Sequence, residues 1–211
     1  MQRGTWQSGF IKANGDLHAS DLRKASFNGG NVFNTTNVSL GLLALHGAYG
    51  TSQDYTTGAN GANQIYFPID GRPTSNPSWV RMSEMDLGSA GTNGLKWMGL
   101  MACNSLRQQN WNSMQSAGWK PFNGNLHLLL GANSVVDDGN LIIWAKYMLG
   151  LDLNPKETIY NAWRDSASFC VHRPVQFAIA GFDDCKQDML TGTNSYTPQG
   201  NVFYDALPVA Q

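Results

Sequence analysis

The stretch Leu95-Lys96-Trp97-Met98-Gly99-Leu100-Met101-Ala102, closing on Cys103, decides how the rest of the chain reads. A short apolar run bounded by turn-forming residues is the signature of a strand buried on both faces. Behind it, Asn104 or Ser105 can cap a helix predicted to run to about residue 117, with Gly118 as its stop. Two other runs share this character. Ser39-Leu40-Gly41-Leu42-Leu43-Ala44-Leu45 ends at His46-Gly47, and Leu126-His127-Leu128-Leu129-Leu130-Gly131 forms a third strand. A fourth is predicted over 175–180. Strands buried on both faces need helices to cover them. One is predicted over 140–149, apolar nearly all round. Another starts at Asn154-Pro155-Lys156-Glu157 and runs to about residue 169, with Ile159 and Trp163 one turn apart.

The remainder is turn-rich. Residues 1–37 form a polar N-terminal segment, residues 48–63 read as a loop, and the tail 183–211 is polar and predicted to loop. Gln64-Ile65-Tyr66-Phe67-Pro68 reads as a short edge strand, because Pro68 and Pro73 remove the donors that a central strand needs. Strands alternating with helices predict an α/β fold with a mostly parallel central sheet. There is no internal repeat and no linker, so residues 1–211 read as a single domain.

Composition narrows the classes of function. The net charge is −1 and only 14 % of residues are charged, against roughly a quarter in an ordinary soluble domain. With no basic excess, nucleic acid is a poor partner. The apolar fraction of 42 % excludes wholesale disorder. No run reaches the ~18 residues of a membrane span. Asn, Gly, Ser and Thr replace the missing charges, which leans toward an extracytoplasmic protein. The three cysteines, Cys103, Cys170 and Cys185, make no disulfide framework. Cys170 and Cys185 are either one pair or two buried thiols.

Two features carry chemistry. One buried strand ends in His46-Gly47 and another in Ala102-Cys103. In open parallel sheets, functional groups collect at the carboxyl ends of strands. If the two strands are neighbours, a thiol and an imidazole meet there. A helix opening just after Cys103 would favour the nucleophilic thiolate. His46 would move the proton. The backbone N–H groups of Gly47 and Cys103 would form an oxyanion hole. The competing reading is a buried structural cysteine and an unrelated His-Gly turn.

An apolar block closing on His-Gly, then a second closing on Ala-Cys, resembles the caspase-like cysteine peptidases, the clan of caspases, legumains, gingipains, clostripain and separases. The match lies in Leu42-Leu43-Ala44-Leu45-His46-Gly47 and in Trp97-Met98-Gly99-Leu100-Met101-Ala102-Cys103-Asn104-Ser105-Leu106. The chain also resembles an uncharacterised bacterial family of caspase-like domains, over roughly residues 6–185. That resemblance implies a three-layer sandwich with the sheet flanked by helices. It implies a cysteine endopeptidase with His46 and Cys103 as catalytic residues, working through a thioacyl-enzyme on a peptide or protein substrate without a cofactor. The caspase Gln-Ala-Cys-Arg-Gly signature is absent, so substrate preference does not transfer. Ca²⁺ as an activator is compatible with the pattern but not indicated by it. An inactive relative that binds a peptide or glycan, and a cysteine-dependent acyl transferase, are the alternatives.

Other candidates are weaker. Asp137 and Asp138, just past the third strand, are either a turn with a helix cap or a substrate pocket for a basic side chain or cation. Asp183 and Asp184 carry the same two readings. His127 is either a hydrogen-bonded structural histidine or a pocket wall. Asp54, in the following loop, is a candidate third member that could orient His46. His18, His127 and His172 lack metal-ligand spacing, and no metal is expected. Most tryptophans lie in apolar-periodic segments and read as core.

Overall fold

The structure is a computed structural model that describes residues 17–27, 29–30, 39–45, 47–50, 64–69, 78–85, 87, 94–116, 118–122, 125–136, 157–166, 175–190 and 197–207. It is a mixed α/β fold. Three of the expected buried strands form where the apolar runs place them: β1 (Leu40–Ala44), β5 (Trp97–Met101) and β6 (Leu128–Ala132). Between β1 and β5 lie β2 (Ala48–Gly50), β3 (Gln64–Ile69) and β4 (Ser78–Arg81). After β6 come β7 (Phe177–Phe182) and β8 (Val202–Ala206). The described helices are α1 (Ala19–Leu22), α2 (Gln108–Ser116) and α3 (Ile159–Ser166).

The main sheet has the order β1-β5-β6-β7-β8. β1, β5 and β6 are parallel, whereas β7 runs antiparallel to β6, and β8 antiparallel to β7. The sheet is therefore mixed, with two parallel and two antiparallel pairings, where the sequence predicts a mostly parallel one. An apolar run reports burial on both faces but carries no strand direction, and the long chain between β6 and β7 permits either. β8 was also expected to be loop. It enters because Tyr204 and Phe203, on alternate sides of the strand, each pack partly buried against one face of the core.

Two hydrophobic clusters cover the two faces. Along β5, Met98 and Leu100 point into one, Trp97 and Met101 into the other. The first cluster is closed by Trp111 and Met114 of α2, with Leu22 of α1 and Val80 of β4. The second is closed by Ile159, Ala162 and Trp163 of α3. Trp97, Trp111 and Trp163 are all core residues. The side chain of Thr158 caps α3, accepting the Asn161 N–H at 3.2 Å. The segments 140–149 and 154–156 lie outside the described residues.

β2, β3 and β4 form a second, antiparallel sheet in which β3 is central. This corrects the edge-strand expectation. Among the described residues, β2 pairs with residues 64–66 of β3 alone, so at Pro68 the strand has one described neighbour, opposite Trp79. The proline constraint is local, and β3 satisfies it by being central over only half its length.

Candidate functional site

β1 and β5 lie side by side in register, ending at the pair Ala44↔Met101, and the Leu45 N–H continues the ladder to the Met101 carbonyl at 3.4 Å. Two residues on, Gly47 lies directly against the next turn. A Cβ built on Gly47 would fall 2.1 Å from the Cys103 carbonyl oxygen, 3.0 Å from its nitrogen and 3.1 Å from the Ala102 Cβ. Only glycine fits this approach. The described residues on either side of His46 therefore run to the Cys103 turn. His46 itself lies outside the described residues, as do Asp54, Asp137, Asp138, Cys170 and His172.

Cys103 is half-buried. Its sulfur faces the peptide group of Val136: the Val136 N–H donates to Sγ at 3.3 Å, and the thiol faces the Val136 carbonyl at 3.5 Å. Val136 sits in the segment that leaves β6, next in the chain to Asp137, and its neighbour Val135 is exposed. The segment leaving β6 thus reaches the cysteine as far as Val136.

The turn that carries Cys103 is fastened to the end of β6. Asn104 adopts a left-handed conformation (φ 54°), which Asn tolerates better than most residues. Its N–H reaches the Ser134 carbonyl at 2.8 Å, and the Leu106 N–H reaches Ala132 at 2.9 Å. The paired register of β5 and β6 ends at Gly99↔Leu130. Beyond it, the fully buried Ser105 hydroxyl bridges the two strands. It donates to the Leu100 carbonyl at 2.9 Å and accepts the Ala132 N–H at 3.0 Å. Gly131 leaves room for this hydroxyl, because a Cβ there would lie 2.8 Å from it.

This use of Ser105 corrects the expected helix start. The hydroxyl is spent on the strands and Asn104 is left-handed, so neither caps a helix, and α2 opens only at Gln108. Its first N–H is satisfied instead by the Asn133 side chain at 2.8 Å, and Asn133 is tied to Gln176 at 2.6 Å. Cys103 therefore stands five residues before the first residue of the helix, outside the reach of its first-turn dipole.

His127 is placed elsewhere, and its buried hydrogen bond follows the structural reading rather than the pocket-wall one. It precedes β6 while Cys103 follows the parallel β5, so the length of a five-residue strand, about 16 Å, separates their ends. It is 1 % exposed, and its Nδ1 meets Asp188 Oδ2 at 2.6 Å. The same oxygen accepts the Trp97 Nε1–H at 2.7 Å. Asp183 and Asp184 follow the turn reading. They open a 3-10 turn (Asp183–Gln187), with Asp183 3.1 Å from Lys186 and Asp184 accepting the Gln199 N–H at 2.9 Å. His18 is exposed and precedes α1.

Val136 and Asn133 are not signalled by the sequence, and Ser105 reads there as a helix cap rather than as a bridge between strands. Short polar residues in a loop signal a turn, but which strand end they bridge is a tertiary matter.

Compared with protein-family models, residues 1–210 match one described as a domain of unknown function (DUF6345). The chain belongs to the DUF6345 family. No curated protein and no solved structure matches it. Among the described residues of this DUF6345 chain, no helix is long and apolar enough to cross a membrane.

Proposed function

We propose that this DUF6345 domain is a caspase-like cysteine peptidase with Cys103 as nucleophile and His46 as proton carrier. The observation that supports this best is the Gly47 contact. The residue after His46 lies against the backbone of Cys103, at the C-terminal ends of two adjacent parallel strands. In the proposed reaction the Cys103 sulfur, its proton passed to His46, attacks the scissile carbonyl carbon. A C–S bond forms and the carbonyl electron pair moves to oxygen. Backbone N–H groups of Gly47 and Cys103 hold that oxyanion. As it collapses the C–N bond breaks, and His46 returns the proton to the leaving amine. Water then hydrolyses the thioester and regenerates the thiol.

Asp137 and Asp138 follow Val136 directly and would meet the substrate side chain, a peptide or protein segment with a basic group being the best match. The proposed layering is the caspase-like one, with α2 and α3 on opposite faces of the sheet. An extracytoplasmic location suits the uncharged, Asn-rich composition.

A second reading is favoured by one observation. The Cys103 sulfur is engaged by the Val136 peptide group, and α2 starts too far along to assist it. A non-catalytic relative that binds a peptide or glycan at the same strand ends would tolerate this. An acyl transferase would use the same dyad with an amine in place of water. The test is cleavage of a peptide or ester library by the intact chain and by Cys103→Ala and His46→Ala. Loss of turnover in both variants supports the peptidase, and unchanged turnover in either refutes the dyad. Iodoacetamide labelling separates the binding reading: a peptidase modifies Cys103 far faster than Cys185, and equal slow labelling supports binding alone.

A further inference from the structure

We propose that His127, Cys185 and Asp188 form a structural site for a zinc-class divalent metal ion at the opposite end of the sheet from Cys103. A ring nitrogen of His127, Sγ of Cys185 and a carboxylate oxygen of Asp188 all lie within 4.8 Å of one another. All three residues are at most 1 % exposed.

The fold builds this convergence. Because β7 is antiparallel to β6, its C-terminal end returns to the point where β6 begins, and the Phe182 N–H bonds the His127 carbonyl at 3.2 Å. The chain then enters the 3-10 turn Asp183–Gln187, where residues three apart share a face. Cys185 and Asp188 are three apart, and the Asp188 N–H closes the turn on the Cys185 carbonyl at 3.0 Å. A short-spaced ligand pair on a tight turn, joined by a distant histidine, supplies three of the four ligands that tetrahedral zinc takes.

The donor chemistry agrees. Sulfur, imidazole and carboxylate together suit zinc better than magnesium or calcium. On binding, the Cys185 thiol proton leaves to solvent and the metal holds the thiolate. A dication with one thiolate, one carboxylate and a neutral imidazole is net neutral, which is what a fully buried site requires. The Trp97 N–H on Asp188 Oδ2 then orients the carboxylate. Tetrahedral zinc needs its ligand atoms about 3.3–3.5 Å apart. The 2.6 Å His127–Asp188 contact would therefore open slightly while the sulfur closes in. A water completes the fourth position. The competing arrangement is a His127–Asp188 hydrogen-bonded pair beside a thiol, with no ion.

This proposal is independent of the Cys103 reading, and its test is separate. The full-length protein, stripped with a chelator, is titrated with CoCl₂ alone and then with ZnCl₂ alone. The expected result is one equivalent of Co²⁺ bound, with a thiolate-to-cobalt charge-transfer band that zinc displaces. Cys185→Ser removes the band, whereas Cys103→Ser and Cys170→Ser retain it. Zinc at about a hundredfold excess over Kd raises the melting temperature by about 5–10 °C, and Asp188→Asn weakens affinity at least tenfold while keeping a hydrogen-bonding group against Trp97. If Cys185→Ser does not fold, Asp188→Asn and His127→Gln carry the same comparison. Absence of the band in the wild-type protein overturns the site, as does equal metal affinity in all variants.

Discussion

Replacing Ser105 by alanine deletes one oxygen from a fully buried position and leaves two backbone groups without their partner. The hydroxyl donates to Leu100 at 2.9 Å and accepts from Ala132 at 3.0 Å, in surroundings where both residues are 1 % exposed. Leaving a buried donor or acceptor unpaired costs about 1–3 kcal/mol. Two orphaned groups, with partial closure of the strands over the missing atom, give an expected loss of about 2–4 kcal/mol. In urea this is a midpoint shift on the order of 1 M at constant slope, because the surface exposed on unfolding does not change. Gly131 supplies an internal control. A Cβ there would press on the Ser105 oxygen and the Leu106 Cγ, both at 2.8 Å. Gly131→Ala is therefore destabilising alone, and the double variant with Ser105→Ala loses less than the sum of the two. The Cys103 labelling rate changes in both single variants, since its turn hangs from this bridge. A Ser105→Ala shift equivalent to less than about 0.5 kcal/mol, the range of an ordinary surface change, refutes the reasoning. So does strict additivity with Gly131→Ala.

Three further outcomes are expected. Gly47→Ala puts a methyl 2.1 Å from the Cys103 carbonyl oxygen. It should destabilise the fold by about 1–3 kcal/mol and slow any Cys103-dependent reaction, as read by thermal melting and labelling. Asn133→Ala removes the partner of the first α2 N–H and should cost about 1 kcal/mol in urea denaturation, while Asn133→Asp retains the acceptor and recovers most of it. Tyr160 is pushed up to about 12, first by burial and then by the hydrogen bond it donates to Asp205. Its folded value lies above the unfolded one, so its contribution to stability is full below about pH 10 and is lost as pH rises toward 12. At pH 11 Tyr160→Phe should therefore leave the phenolate absorbance of the folded protein unchanged; a drop by one tyrosine contradicts the assignment.

Several elements were legible because burial alone dictates them. A strand with both faces covered is largely apolar, so 95–102 and 126–131 announce β5 and β6, and 39–45 announces β1, although β1 is an edge strand with Ala44 exposed. Gly118, at φ +87°, ended α2 as expected. The helix start is not legible in the sequence for a definite reason. Ser105 has the chemistry of a cap, but a hydroxyl bonds whatever backbone groups are nearest, and here these were the splaying strands β5 and β6. β8 was missed because only Phe203 and Tyr204 anchor it, too short a pattern to stand out from a polar tail.

The sequence by itself determined where the core strands lie, that the chain carries almost no net charge, and that a cysteine and a His-Gly pair each follow a buried strand. These follow from composition and periodicity, which are local properties. Tertiary structure alone decided three things: that β1 and β5 are neighbours, so that Gly47 meets Cys103; that β7 turns back against β6; and that His127, 58 positions before Cys185, joins it and Asp188. Strand order and direction depend on which faces cover one another. That is set by packing between distant segments, and no single window of sequence contains it.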